Sequence, residues 1–287
     1  MSHQRGHTVP VQSTGRLASY LILTIGALLL LFPLAWMVST SLKTPERVAF
    51  SEIELIPYPV AWWNYVRIFR EMPMFSYVGN SLKIVGAALF GGIVTCSLAG
   101  YAFARIRFPG RDTLFLVVLS TMMLPYVVRL IPLYLMFDQA RLINTFWPLM
   151  LPRLLGHDAF FIFLYRQFFR GIPEDLFDAA RVDGASELGI WRSIILPLSK
   201  PVLATVGIFA FQHAWGDYLW PLIYVGSRKA NWTLALAVTG QSNNAFGPPE
   251  WNIVMAMTVV MVIPVLLVFA WGQRHITEGV TTTGIRG

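Results

Sequence analysis

Charge is scarce in this sequence and cysteine almost missing. Only 13% of the 287 residues are Asp, Glu, Lys or Arg, while 55% are apolar and 14% aromatic. With a mean hydropathy of +0.58, that poverty of charge excludes an ordinary soluble domain and reads as a polytopic membrane protein. Cys96 is the single cysteine, so no intrachain disulfide can form and helix packing must hold the fold. No G-x-x-x-x-G-K-S/T phosphate loop is present, which excludes a P-loop ATPase within this chain. The five histidines, His3, His7, His157, His213 and His275, are scattered. The H-E-x-x-H, C-x-x-C and G-x-S-x-G patterns are missing too, so neither a metal site nor an activated nucleophile is indicated. His157 and Asp158 are adjacent, and neighbours on a helix point about 100° apart; a water-exposed bend accounts for them better than acid–base catalysis. The net charge of +7 does not call for nucleic acid, because in a membrane protein the placement of Lys and Arg matters more than their sum.

What is present is a series of apolar runs, each measured against the roughly 20 residues that a bilayer core requires. A polar tail at 1–16 precedes a first span at 17–40, longer than the roughly 7–15 apolar residues of a signal peptide. Further spans are expected at 77–103, 113–136, 156–169, 201–224 and 251–272, about six in all, with a tail at 273–287. The fourth is interrupted by Pro148, Pro152, Arg153 and the His157-Asp158 pair, so its crossing part is expected to begin only near Gly156. Lys and Arg concentrate in the amino-terminal tail, the turn at 104–112, the loop at 166–200 and the carboxyl-terminal tail. Both termini and that loop are therefore expected to be cytoplasmic. The segment from Lys43 to Ser76, with Trp62, Trp63 and Tyr65 as interfacial aromatics, is expected outside.

The charge-bearing stretch RGIPEDLFDAARVDGASELGIWRSIILPLSKP, residues 170–201, is the most informative in the chain. Glu174 and Asp175 sit where a helix N-terminus favours anions, and Gly184 is a C-terminal stop. Leu176, Ala179, Ala180 and Asp183 fall on one side, where two small residues admit a close neighbour. Leu176 and Phe177 offer apolar surface without a partner in so short a segment. Ser186 can cap a second helix, which Pro197 is expected to end because it lacks an N–H. Spacing alone leaves an ordinary amphipathic connection between spans equally open.

The particular residues, Asp178-Ala179-Ala180, Gly184, Ile194 and Leu196-Pro197, resemble the EAA motif of inner-membrane permease subunits of binding-protein-dependent ABC importers. Asp178 stands where that family usually has Glu, which shortens the carboxylate's reach by about 1.5 Å. The resemblance covers nearly the whole chain. FPLAWMVSTSLK, NSLKIVGAALFGG, AGYAFARIRFPGR, MMLPYVVRLIPLY, WGDYLWPL and GVTTTGIRG are similar to the second, six-span permease of the maltose/maltodextrin-type carbohydrate group. Gly216 stands where the family commonly has Asn. The resemblance implies an all-α integral membrane protein of the ABC type I importer permease fold, multi-pass in a bacterial inner membrane. It implies a non-catalytic subunit that couples to a separate ATPase through Glu174, Leu176, Phe177, Asp178, Ala179, Ala180, Asp183, Gly184, Ile194, Leu196 and Pro197. The implied partners are a second homologous permease, two ATPase copies holding ATP and Mg, and an extracytoplasmic sugar-binding protein.

Two other classes stay in view. An ion-coupled secondary transporter would want titratable carboxylates within its spans, where this chain has almost none, and a membrane-embedded enzyme would want a clustered acid, base or metal set. For a transport path the candidates are Arg129, between Pro125 and Pro132, and the cluster Trp215, Asp217, Tyr218 and Trp220. An unpaired charge at mid-depth costs about 2.5–3.5 kcal/mol on insertion scales. The aromatic cluster reads equally well as an interfacial belt with a helix cap. Asn80 and Ser81 can serve as helix-packing hydrogen bonds, and Lys83 as a snorkelling residue. Gln241, Ser242, Asn243 and Asn244 form a polar loop that the resemblance turns toward the binding protein and that reads equally well as a solvated connector.

Overall fold

The computed structural model describes the backbone of residues 13–50, 54–243 and 249–283. It is all helix among those residues. In order the helices are α1 (Ser13–Ser41), α2 (Pro45–Phe50), α3 (Trp63–Glu71), α4 (Met74–Phe90), α5 (Cys96–Arg105), α6 (Arg111–Ser120), α7 (Tyr126–Gln139) and α8 (Trp147–Leu154). There follow α9 (Ala159–Arg170), α10 (Asp175–Val182), α11 (Glu187–Ile190), α12 (Leu196–Leu198), α13 (Lys200–Trp215), α14 (Leu219–Val225), α15 (Leu234–Ser242) and α16 (Trp251–Thr283).

Among the described residues three helices are long and apolar enough to cross a membrane: Ser19–Ser41, Met74–Arg105 and Trp251–Gln273. They contain the expected spans 17–40 (in part), 77–103 and 251–272. The first lies against α16, yet none of its apolar window is buried, so lipid or another subunit must cover the faces left open. Met74–Arg105 runs for 32 residues, about 48 Å at 1.5 Å per residue, which leaves turns beyond the roughly 30 Å hydrocarbon core at its ends. The chain's helical backbone continues to Thr283, so the segment expected as a tail at 273–287 begins as helix, and residues 284–287 lie outside the described residues. Residues 1–12 of the expected 1–16 tail lie outside the described residues.

Of the other three expected spans two are broken and one is short, each for a local reason. The run 113–136 is two helices bent by 102°, with Leu124 extended ahead of Pro125, as the residue before proline prefers. The run 156–169 is helical only from Ala159 to Arg170, capped by the Asp158 carboxylate on the Phe160 N–H; at about 18 Å it is shorter than a bilayer core. The run 201–224 is α13, then a break at 216–218, then α14. Pro197 does not stop its helix as the sequence suggests. It lies near the end of a helical run, Glu187–Leu198, whose middle, Trp191–Ile195, is π-helical, and the chain turns by 85° into α13 only at Ser199.

The core joins α4, α5, α9, α13 and α16 through Ile84, Tyr165, Phe169, Val206, Trp215 and Ala256. A π-helical segment at Gly91–Thr95 links α4 to α5. There the Ser97 hydroxyl donates to the Ile93 or Val94 carbonyl, taking up acceptors that the widened turn leaves free. Gly91 is required at that turn, because a Cβ there would stand 1.7 Å from the Arg153 carbonyl oxygen.

Candidate functional site

Residues 170–198 form a helix, a corner and a second helix clamped against the end of α5. Gly184, at φ +81°, closes α10: its N–H donates to the Arg181 carbonyl at 3.0 Å and the Ala185 N–H to Ala180 at 2.9 Å. This is the Schellman pattern that glycine supports without a Cβ penalty. Two residues on, the Ser186 hydroxyl accepts from the Gly189 N–H at 3.2 Å and starts α11. Local chemistry therefore sets the corner, as the sequence indicated.

Tertiary contacts hold it in place. The Arg105 guanidinium donates to the carbonyls of Phe169 and Ile172 and lies over the Phe177 ring, 4.5 Å from its centroid. Glu187 accepts from the Tyr101 hydroxyl and, at 3.0 Å, from Arg181, and these bonds hold its carboxyl below the usual carboxylate range. The Trp191 indole N–H donates to the buried Ser97 hydroxyl at 3.2 Å. The loop thus rests on Tyr101, Arg105 and Ser97 of one long helix and runs on, through α12, into α13.

Several of the sequence candidates change their meaning here. Phe177 is fully buried and anchors α10 to Arg105, so it is not docking surface. Leu176, Asp178, Ala179, Asp183, Gly184 and Pro197 are exposed, as is Glu174, 3.8 Å from Arg107; Ala180, Ile194 and Leu196 are half-buried. Asp178 is held within the loop by Arg181 at 3.2 Å. The apolar surface left open also includes Val182, 87% exposed, and Leu188, 61% exposed. Both were overlooked, and their signal was apolar character inside the most polar stretch of the chain. Leu176, Val182 and Leu188 are thus large aliphatic groups left exposed on a braced loop.

At the other end of α13, three interruptions meet: the π segment 91–95, the turn 155–158 and the break 216–218. The Thr95 hydroxyl donates to the Leu154 carbonyl at 2.8 Å. Across the gap, Arg153 Nη2 donates to Asp217 Oδ2 at 2.7 Å, with the side chains only 15% and 9% exposed. The second Asp217 oxygen accepts from the Trp220 N–H at 3.3 Å and caps α14. Beside this pair lies a cavity of about 120 Å³ bordered by Arg129, Arg153, His157, Trp220 and Tyr224. Trp220 stacks on Tyr224 with centroids 5.8 Å apart and planes 9° apart.

Arg129 and Trp220, candidates far apart in sequence, are thus brought to one cavity, while Tyr218 is half-buried beside it in the chain. Trp215 is not on that wall: it is 2% exposed, stacks on Phe211 and donates its indole N–H to the Met261 carbonyl at 2.9 Å, so it is a packing residue between α13 and α16. Arg153 and Tyr224 were missed. A charge in the apolar run 142–169 was the available signal for Arg153.

On the opposite side from the loop, Asn80 donates to the carbonyls of Ala230 and Trp232, and Ser81 accepts from the Leu234 N–H at 2.9 Å; both tie the 230–234 connection to α4. Lys83 is exposed and donates to Asn80 Oδ1. Gln241 and Ser242 end α15, with the Ser242 hydroxyl bonded to its own helix at Thr239, and Asn243 is exposed. Asn244 lies outside the described residues. Among the described residues no group of three or more His, Cys, Asp or Glu side chains is placed to hold a metal ion.

Broken apolar helices bordering a cavity that holds two arginines, with a braced loop at one end, fit a membrane transport permease. The chain belongs to the family of binding-protein-dependent transport system inner membrane components, whose model matches residues 92–282. It is 32% identical over 276 residues to the arabinooligosaccharides transport system permease protein AraQ of Halalkalibacterium halodurans, covering 93% of this chain and 96% of that one. It is 32% identical over 266 residues to the sn-glycerol-3-phosphate transport system permease protein UgpE of Yersinia pestis, covering 91% and 94%. Its fold is similar to that in a crystal structure of a bacterial ABC transporter involved in import of the acidic polysaccharide alginate, at TM-score 0.82 and 21% identity, over 94% of this chain and 99% of that chain. The protein is a membrane-embedded, non-catalytic transport subunit.

Proposed function

We propose that this chain is the permease subunit of an ATP-driven importer for a sugar or related polyol, delivered by an extracytoplasmic binding protein. It works beside a second homologous permease, above two ATPase copies that hold the ATP and Mg. The observation that carries the reading is the braced loop with exposed Leu176, Val182 and Leu188. The relatives supply the cargo class, since their names specify an oligosaccharide and a phosphorylated polyol.

In this reading both termini and residues 170–201 face the cytoplasm. The ATPase covers Leu176, Ala179, Ala180, Val182, Gly184 and Leu188. Because α10 and α11 are bonded to α5 and continuous with α13, displacement of the loop is passed to the two helices whose far portions flank the Arg153–Asp217 contact. Directionality requires ATP and loaded binding protein to stabilise the outward state more than the inward one. Gln241, Ser242, Asn243 and Asn244 belong to the side that meets the binding protein.

The test is uptake of a labelled sugar panel by vesicles carrying the complex co-expressed from neighbouring genes, with ATP inside or absent. Gly184→Asp forces a side chain into φ +81°, and Val182→Glu places a charge on the exposed ridge without touching the brace. Both are expected to lower ATP-driven uptake at least tenfold and to release the ATPase during purification. Unchanged uptake with the ATPase retained in both variants would remove the docking assignment.

A further inference from the structure

The central cavity has an electrostatic imbalance. It is bordered by two guanidinium groups, and Asp217 neutralises only one of them, Arg153. Arg129, on the proline-flanked α7, is in no ion pair among the described residues, and its Nε is buried without a hydrogen-bond partner. A guanidinium kept at membrane depth with an unsatisfied N–H is costly, and such residues mark ligand or ion pathways. Trp220, half-buried at the same cavity and backed by Tyr224, which is itself held between Trp220 and Tyr134, provides a flat apolar face of the kind that packs on sugar C–H surfaces.

Resting on the import function proposed above, we infer that this cavity receives an anionic cargo, a sugar or polyol bearing a phosphate or carboxylate group, and that Arg129 recognises the charge. The planar fork of arginine pairs bidentately with both groups, which a lysine point charge does not reproduce. The volume of about 120 Å³ corresponds to about four waters at roughly 30 Å³ each, room for one charged end group rather than a whole oligosaccharide. The charged group enters beside Arg129, the carbon skeleton lies against Trp220, and the Arg153–Asp217 pair stays intact as the wall.

The experiment combines protection with transport, both on the complete complex in nanodiscs or vesicles. Arginine modification by 4-hydroxyphenylglyoxal is followed at Arg129 by mass spectrometry, with glycerol 3-phosphate, glucose 6-phosphate, glucuronate, inorganic phosphate, glycerol or glucose added. At least one organic anion is expected to slow modification fivefold or more while its neutral parent does not, and the phosphate and glucuronate arms separate the two charged groups. Uptake of that anion is expected to fall at least tenfold in Arg129→Gln and less in Arg129→Lys.

An unmodified Arg129, equal protection by neutral parents, or protection by inorganic phosphate alone would overturn the assignment. So would unchanged anion uptake in Arg129→Gln. Protection without ATP-driven uptake of any compound would leave the anion site standing and overturn the import function instead.

Discussion

Asp217→Asn removes one charge from the most buried ion pair in the described structure while keeping an oxygen to accept from the Trp220 N–H. Arg153 then stays behind, 15% exposed, with its charge uncompensated. Breaking a buried pair on one side costs about 3–5 kcal/mol, whereas replacing both partners with neutral groups of similar volume is often close to neutral. For a chain of this size each kcal/mol corresponds to about 2–4 °C in melting temperature, so the single variant is expected to melt roughly 6–20 °C lower in detergent. Arg153→Met should lose a comparable amount by stranding Asp217. The double variant Arg153→Met with Asp217→Asn should recover most of the loss, giving a coupling energy of several kcal/mol. Melting curves of the four purified proteins in one detergent close the cycle. A double variant as unstable as the two single losses added together would refute the idea that these residues act as a pair across the break.

Two further outcomes are specific to single contacts. Gly91→Ala pushes a Cβ into the Arg153 carbonyl, and the backbone must move; a loss of about 1–3 kcal/mol is expected, against none for Gly86→Ala, where nothing lies within 4 Å, and parallel melts would show whether the two differ. Glu187 has its carboxyl held below 4.5 by Tyr101 and Arg181, so its contribution to bracing the loop is complete above the ordinary carboxylate pKa and lost as pH falls through the depressed value. Protection factors across residues 184–190, corrected for the pH dependence of intrinsic exchange, should fall in the native protein as pH drops through the depressed value and be low already at pH 7 in Glu187→Gln; a Glu187→Gln loop as well protected as the native one at pH 7 would remove Glu187 from the brace.

Much of the loop was legible because its signals are local. Gly184 and Ser186 act through bonds to residues three to five positions away, so the corner can be read from spacing. Phe177 and Leu176 look alike in a sequence, both large and apolar in a polar stretch. Only the position of Arg105, 72 residues from Phe177, makes one an anchor and leaves the other in water. Trp215 and Trp220 were likewise grouped because they are neighbours along the chain, although the break at 216–218 sends one into the α13–α16 packing and the other to the cavity. The short α9 was legible in outline, because Pro148, Pro152, Arg153 and His157-Asp158 interrupt the apolar run ahead of it, while its start at Ala159 is fixed by the Asp158 cap.

By itself the sequence determined that the chain resides in a membrane, that it carries no P-loop ATPase, and where a loop with caps of its own interrupts the apolar runs. Those properties depend on transfer free energy and short-range backbone chemistry, which are additive along a chain. The tertiary structure alone decided which charges are paired, which aromatics border the cavity and that Arg129 has no carboxylate partner among the described residues. Such outcomes depend on distances between residues dozens of positions apart, as for Arg153 and Asp217, and a desolvated charge is costly or stable according to the one partner that the fold brings within reach.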